Sequence, residues 1–252
     1  MELNRDNILV ERKNKTVYRE DNKVVKLFVE NYSKASILNE ALIHARVEES
    51  TDLNMPKLLE VSTIDGRWAL VQEYIEGTTL EELMNQNPDK LDEYLDLFVK
   101  IQLDILGHTV PLLNRIKDKF KRKLTDSNIL NENTRYELLQ RIEGMKNHTK
   151  LCHGDLNPSN IVIKDNGEYY IIDWAHATQG NASADAARSY ILFSLENGKE
   201  VADKYLDKFC FASEIDKKNI QRWIPLVAAT QLMKEKENQE FLRQWIDIVD
   251  FE

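Results

Sequence analysis

The chain changes its character after Gly77, and that change limits the folds open to it. Before it, most of the chain alternates apolar and polar residues in short runs; after it, apolar residues mostly recur three and four apart. Residues 7 to 28 hold three short runs, NILVERK, KTVYRE and KVVKLF, with Asp21-Asn22 as the turn between the last two. Ser33 or Ser36 can cap a helix that carries Ile37, Leu38, Ala41, Leu42 and Ala45 on one face and ends near Ser50. Pro56 then opens KLLEVSTI, Asp65-Gly66 makes a hairpin turn, and RWALVQEYI returns as a strand. The order β, β, β, α, β, β up to Ile75 is that of a small α+β lobe.

Beyond Gly77 the chain reads as helices, clearest from Lys90 to Leu106 with Leu91, Tyr94, Leu95, Phe98, Ile101, Gln102 and Ile105 at helical spacing. Residues 183 to 196 and 203 to 250 repeat the pattern. Two domains are expected: residues 1–75, and a helical 76–252, joined through EYIEG at 73 to 77.

The helical part is interrupted by one stretch, LCHGDLNPSNIVIKDNGEYYIIDW, residues 151 to 174. Asn166-Gly167 is a strong signal for a two-residue hairpin turn, because such a turn needs positive φ at both central positions. With 165 facing 168, Ile161 faces Ile172 and Asn160 faces Asp173. Directly opposed residues have Cβ atoms about 5 Å apart on one side of the sheet. An amide oxygen and a carboxylate so placed suit one hard cation such as Mg²⁺, which takes few ligands from protein and the rest from water and phosphate. Asp155, on the irregular loop before the hairpin, would lie beside that cation as a base. From spacing alone, an Asn and an Asp flanking a hairpin also read as turn residues satisfying nearby backbone groups.

Composition narrows the function classes. The 252 residues carry a formal net charge of -9, and the strongest basic run, Lys117 to Lys123, sits in a helical pattern as a solvated face, so no nucleic-acid surface is expected. Cys152 and Cys210 are too few for a disulfide framework or a zinc cluster. MELNRDNILVERKNK lacks the apolar core of a signal peptide, and no apolar run approaches a membrane span. The expectation is a cytoplasmic protein with no membrane partner; oligomeric state is not legible.

His153-Gly154-Asp155 with Asn160, followed by Ile172-Asp173-Trp174, resembles the HGDxxxxN and IDW signature of the aminoglycoside phosphotransferase and choline kinase group of protein-kinase-like enzymes. The resemblance implies a bilobal α+β protein-kinase-like fold, with 1–75 as the nucleotide-binding lobe and 76–252 as the catalytic and acceptor-binding lobe. It implies an ATP- and Mg-dependent kinase that phosphorylates a hydroxyl of a small molecule: an aminoglycoside, a choline-like compound, a sugar or an amino acid. Asp155 would be the catalytic aspartate, and Asn160 and Asp173 would hold Mg²⁺. Lys26 looks like the third-strand lysine on the α and β phosphates, and Glu40 like its ion-pair partner, with Glu48 as rival. The backbone of Glu73 and Ile75 would meet the adenine edge. His153 would be structural, and Asp185 would either brace the catalytic loop or cap a helix.

The chain departs from the protein-kinase pattern in one respect. No glycine lies between its first two strands, where Lys13, Asn14, Lys15 and Thr16 stand instead as a solvated turn or as substitute phosphate contacts. Trp174 and Trp223 would line an acceptor pocket or pack in the core. The acidic balance suits a cationic acceptor or reflects solvated helix faces. A kinase-like binding protein with weak catalysis and a metal-dependent hydrolase are the competing readings.

Overall fold

Residues 3–233 and 238–246 are described by a computed structural model. In chain order they form β1 (Ile8–Arg12), β2 (Lys15–Glu20), β3 (Lys23–Phe28), α1 (Lys34–Ser50), β4 (Leu58–Ile64), β5 (Arg67–Glu73), β6 (Thr78–Thr79) and α2 (Leu80–Gln86). There follow α3 (Leu91–Gly107), α4 (Ile116–Thr125), α5 (Glu132–Gly144), β7 (Lys150–Cys152), β8 (Ile161–Ile163), β9 (Tyr169–Ile171) and β10 (Thr178–Gly180). The chain closes with α6 (Ala182–Glu196), α7 (Lys199–Ser213), α8 (Lys217–Gln221), α9 (Ile224–Leu232) and α10 (Gln239–Ile246). Of the helical stretch expected over 203–250, residues 234–237 and 247–250 lie outside the described residues.

Two compact units result, Met1–Gln86 with Pro158–His176, and Asn87–Asn157 with Ala177–Glu252. The expected division after residue 75 thus falls inside the first unit, which runs on through α2 and takes in the β8–β9 hairpin.

The first unit is built on an antiparallel sheet of order β1-β2-β3-β5-β4. Alternation along β3 sends Val25 and Leu27 to one face, where they pack with Tyr18, Ile64, Ala69 and Val71. Phe28 and Leu70 pack on the other face against Ile37 and Ala41 of α1. Lys26 shares the Phe28 parity, so the lysine belongs to the α1 face. Lys15 does too, since it pairs with Phe28 while Val17 pairs with Lys26.

Helix α1 starts where a serine can satisfy its first free amides: Ser33 Oγ accepts from the Ser36 N–H at 3.3 Å. Its buried side differs from the expected one. Ile37, Ala41, Ile43, His44 and Val47 are buried, while Leu38 and Leu42 are exposed. Polar partners on the sheet set this rotation. The Gln72 amide donates to His44 Nδ1 at 2.9 Å, His44 Nε2 meets the Pro56 carbonyl at 2.7 Å, and Glu48 accepts from the Leu58 N–H at 3.0 Å.

In the second unit, Phe98 of α3, Phe193 of α6 and Tyr205 of α7 form one aromatic cluster with centroids 4.9 to 5.4 Å apart. Each such pair adds about 1 kcal/mol to the area it buries. Lys117 to Lys123 lie on α4, whose buried residues are Ile116, Phe120 and Leu124, and Lys121 pairs with Glu143 of α5. Trp223 is buried edge-on to Phe120, and Trp174 is buried in the first unit, so both pack in cores. Among the described residues, no helix is long and apolar enough to cross a membrane.

Candidate active site

The hairpin that carries Asn160 and Asp173 has a register one residue away from the expected one. Ile161 pairs with Ile171, Val162 with Tyr170 and Ile163 with Tyr169. The cause is the turn. Lys164 N–H donates to the Glu168 carbonyl and Gly167 N–H to the Lys164 carbonyl, both at 2.9 Å, so Asp165, Asn166 and Gly167 make a three-residue loop. Gly167 takes φ 84°, the left-handed residue that such a loop requires. Asn160 therefore stands opposite Ile172, whose N–H donates to its carbonyl at 2.9 Å, and the direct opposition of Asn160 and Asp173 is corrected. Asp173 comes one residue later with φ 61°, a left-handed conformation that breaks the strand's alternation. The turn Trp174–His176 then packs on α1, held by Trp174 Nε1 donating to the Ile171 carbonyl at 3.0 Å.

This placement brings three of the expected residues together. Lys26 Nζ lies 3.0 Å from Glu40 Oε1 and 3.0 Å from Asp173 Oδ1. The second contact joins residues far apart in sequence, from β3 to the end of the hairpin. Glu48, the rival partner, is engaged with the Leu58 amide instead. Burial works against the Lys26 charge, but the Asp173 and Glu40 carboxylates outweigh it and raise the lysine's pKa. The same lysine holds the Asp173 carboxyl well below the usual carboxylate range, against its burial and with help from Lys15.

Lys15 is the residue that the sequence left ambiguous. Its side chain is 13 % exposed, its Nζ lies 4.0 Å from Glu40 Oε1, and it stands 5.9 Å from the centre of the Phe28 ring. Burial and the neighbouring Lys26 push its ammonium down from the ordinary lysine range. It faces the charged cluster and is not part of a solvated turn.

Glu73 ends β5, its N–H donating to the Lys57 carbonyl at 2.9 Å, and Ile75 is buried two residues on. Residues 73 to 77 line an open pocket of about 420 Å³ with Lys164, Asp165 and Asn166 of the hairpin loop.

His153, Gly154 and Asp155 belong to the second unit. Asp185 Oδ1 accepts from the Gly154 N–H at 2.7 Å, while its other oxygen accepts from Gln102 at 3.1 Å. The Gln102 carbonyl in turn accepts from the Tyr205 hydroxyl at 2.6 Å, which ties the loop to the aromatic cluster. Asn181 caps α6 through the Ser183 amide, so Asp185 braces the loop and does not cap the helix. Burial raises the Asp185 carboxyl's pKa against those hydrogen bonds. His153 is fully buried with Nδ1 accepting the Asp155 N–H at 3.3 Å. Asp155 Oδ1 lies 2.6 Å from Arg188 Nη2, a partner that the sequence reading missed. Its only signal was the spacing of Asp185, Arg188 and Ser189, which puts three polar residues on one face of an apolar helix.

Among the described residues, no group of three or more His, Cys, Asp and Glu is placed to hold a metal ion. The two oxygen donors that the sequence assigned to a cation, the Asp173 carboxylate and the Asn160 amide, lie at the same end of the hairpin. Such a sparse oxygen set fits Mg²⁺ bound together with phosphate and is too small for a protein-only cage.

Known proteins share this architecture. A thermostable variant of the aminoglycoside phosphotransferase APH(4)-Ia, in ternary complex with ADP and hygromycin B, superposes with a TM-score of 0.71 at 12% identity, covering 95% of this chain and 91% of that one. The type VIII aminoglycoside-3'-phosphotransferase gives 0.65 at 14% identity over 88% and 92%. ADP-bound APH(2'')-Ib gives 0.60 at 18% identity over 95% and 89%. No curated protein sequence matches the chain. At these identities the likeness establishes the fold, a kinase-like α+β architecture. The sequence itself matches the APH family model, phosphotransferase enzyme family, over residues 7–218. With that match over most of its length, the chain belongs to the phosphotransferase enzyme family.

Proposed function

We propose that this protein transfers the γ-phosphoryl group of ATP to a hydroxyl of a small molecule, with Mg²⁺ as the metal. The observation that carries the reading is the charged cluster of buried Lys26 with half-buried Glu40 and Asp173. A lysine clamped between two carboxylates is fixed in place, and its charge is available to phosphate oxygens without reorganisation. Lys15 adds a second positive charge on the same face, which offsets the lack of a glycine-rich cradle. The backbone of Glu73 and Ile75 receives the adenine edge.

Asp173 and Asn160 are the residues that hold Mg²⁺. When bound, the metal neutralises charge on the phosphate oxygens. Asp155 orients the acceptor hydroxyl and takes its proton as the acceptor oxygen bonds to the γ-phosphorus. The bond from that phosphorus to the bridging oxygen of ADP breaks, and ADP departs. The acceptor belongs to the class of aminoglycosides, choline-like compounds, sugars or amino acids, and the acidic balance favours a cationic one. Cytoplasmic ATP would be the donor.

A weakly catalytic nucleotide-binding protein is the second reading, favoured by the two-residue, glycine-free hairpin that joins β1 to β2, closed by Arg12 opposite Lys15. Thermal unfolding with the non-hydrolysable analogue AMP-PNP tests the nucleotide and metal parts directly. At about 100 times the dissociation constant, a ligand stabilises by about 2.7 kcal/mol. AMP-PNP with Mg²⁺ is expected to raise the Tm, and AMP-PNP with EDTA to raise it far less. An equal rise in both would remove the metal from the proposal, and no rise in either would remove the nucleotide.

A further inference from the structure

We infer that Arg188 is a positioning residue for phosphoryl transfer, one that fixes the Asp155 carboxylate for the acceptor hydroxyl. The inference deepens the phosphotransferase reading above and rests on it. One face of α6 grips three consecutive loop residues. Asp185 takes the Gly154 N–H at 2.7 Å, Arg188 Nη2 holds Asp155 Oδ1 at 2.6 Å, and the Ser189 hydroxyl donates to the Leu156 carbonyl at 2.8 Å. The spacing i, i+3, i+4 makes this possible, since those positions are neighbours on a helix surface.

The three contacts are not equivalent. Asp185 and Ser189 hold backbone atoms on either side of Asp155, and they fix the path of the loop. Arg188 alone of the three holds the side chain that would meet substrate. A carboxylate on a well-held backbone still turns about two side-chain torsions, and an arginine nitrogen on one oxygen removes that freedom. The flanking shell is rigid in its own right, because Gln102 also donates to Ser189 Oγ at 3.2 Å and Tyr205 holds Gln102.

Stability does not account for Arg188 being there. Its side chain is 13 % exposed, and its Nη1 is buried with no hydrogen-bond partner among the described residues. A buried donor left unpaired is destabilising, and a buried ion pair is weak support for a fold compared with apolar residues of the same volume. An arginine that served packing alone would be better replaced by methionine. What it supplies is orientation and positive charge at a single carboxylate.

The test compares Arg188→Met and Arg188→Lys with the wild-type chain, reading ADP release from Mg-ATP with water as acceptor and with the best acceptor of a hydroxyl-compound panel. Arg188→Met is expected to lower kcat about 10²-fold, the scale of a misplaced catalytic group, with KM for Mg-ATP changed by less than about threefold. Arg188→Lys should recover about tenfold of that loss, since it restores a charge without the planar fork. In an Asp155→Asn background, Arg188→Met should cost less than about twofold, because the carboxylate it positions is gone. Equal losses in both backgrounds, or a rise in KM with kcat unchanged, would overturn the role. The KM-against-kcat split and the lysine rescue decide the matter where the double variant is too slow to read. A wild-type chain that stabilises with Mg-AMP-PNP yet releases no ADP removes the phosphotransfer reading itself, whereas an active wild type with a fully active Arg188→Met removes Arg188 alone.

Discussion

Lys26 shows how a single residue commits the chain to charge chemistry. Sheet parity turns it toward α1, where Glu40 meets it, and the left-handed backbone at Asp173 supplies the second carboxylate. Replacing it by methionine leaves Asp173 without its 3.0 Å partner and Glu40 with only the more distant Lys15, at 4.0 Å. Lys26→Met is expected to destabilise the nucleotide-free protein by about 1–3 kcal/mol, the cost of orphaning a largely buried charge partner. Denaturant unfolding measures it. The pH window follows from the directions of the shifts. Asp173 is depressed in the folded protein, so its contribution is present above the ordinary carboxylate range and is lost as pH falls below it toward the depressed value. Lys26 is raised, so its contribution is present below the ordinary lysine range and is lost only as pH rises past the folded value. The difference between wild type and Lys26→Met should therefore be level from about pH 5 to 9 and shrink below about pH 4. A difference that grew on acidification would contradict the pairing.

At the level of elements, the join between β5 and β6 depends on a glycine. Gly77 has φ 155°, and a Cβ there would run into the Ile163 carbonyl oxygen and stand 2.9 Å from both its carbon and Val162 Cγ1 on β8. Gly77→Ala must move backbone as well as side chain, and we expect a loss of about 2 kcal/mol or more in urea unfolding. Unchanged stability would show that β8 yields freely. The sequence marked this residue as the change of character, yet the reason for a glycine was not legible, because it lies in a strand more than eighty residues further on. Much of the first unit was legible: turns such as Asp65-Gly66 and the Ser33 cap are local, and local chemistry sets them. Two expectations failed, the first for a non-local cause and the second within a single turn. Leu38 and Leu42 were read as core because they continue an apolar stripe, but polar contacts of His44, Glu40 and Glu48 with the sheet turn α1 the other way. The hairpin register slipped because Asn166-Gly167 reads as a two-residue turn, while the hydrogen bonds add Asp165 to the loop. Arg188 was missed for a non-local reason, since an arginine in a helix acquires meaning only from the carboxylate it meets.

For the molecule as a whole, the segment His153–Asn160 is divided between the two compact units, after Asn157. Asp155 belongs to the unit of helices α3, α6 and α7, and Asn160 and Asp173 belong to the unit of the five-stranded sheet. Each set is held by its own core: the aromatic cluster through Gln102 and Asp185 on one side, the sheet and α1 through Lys26 on the other. The central claim is that Asp155 activates a small-molecule hydroxyl toward the γ-phosphorus of ATP. Its most direct measurement is transfer of labelled γ-phosphate from Mg-ATP to a panel of aminoglycosides, amino alcohols, sugars and hydroxy amino acids, by the wild type and by Asp155→Ala. The account predicts a phosphorylated product with at least one acceptor class, and a loss of about 10²-fold or more in turnover for Asp155→Ala while stabilisation by Mg-AMP-PNP is retained. Full transfer by Asp155→Ala, or nucleotide binding with no phosphorylated product from any acceptor, would contradict it.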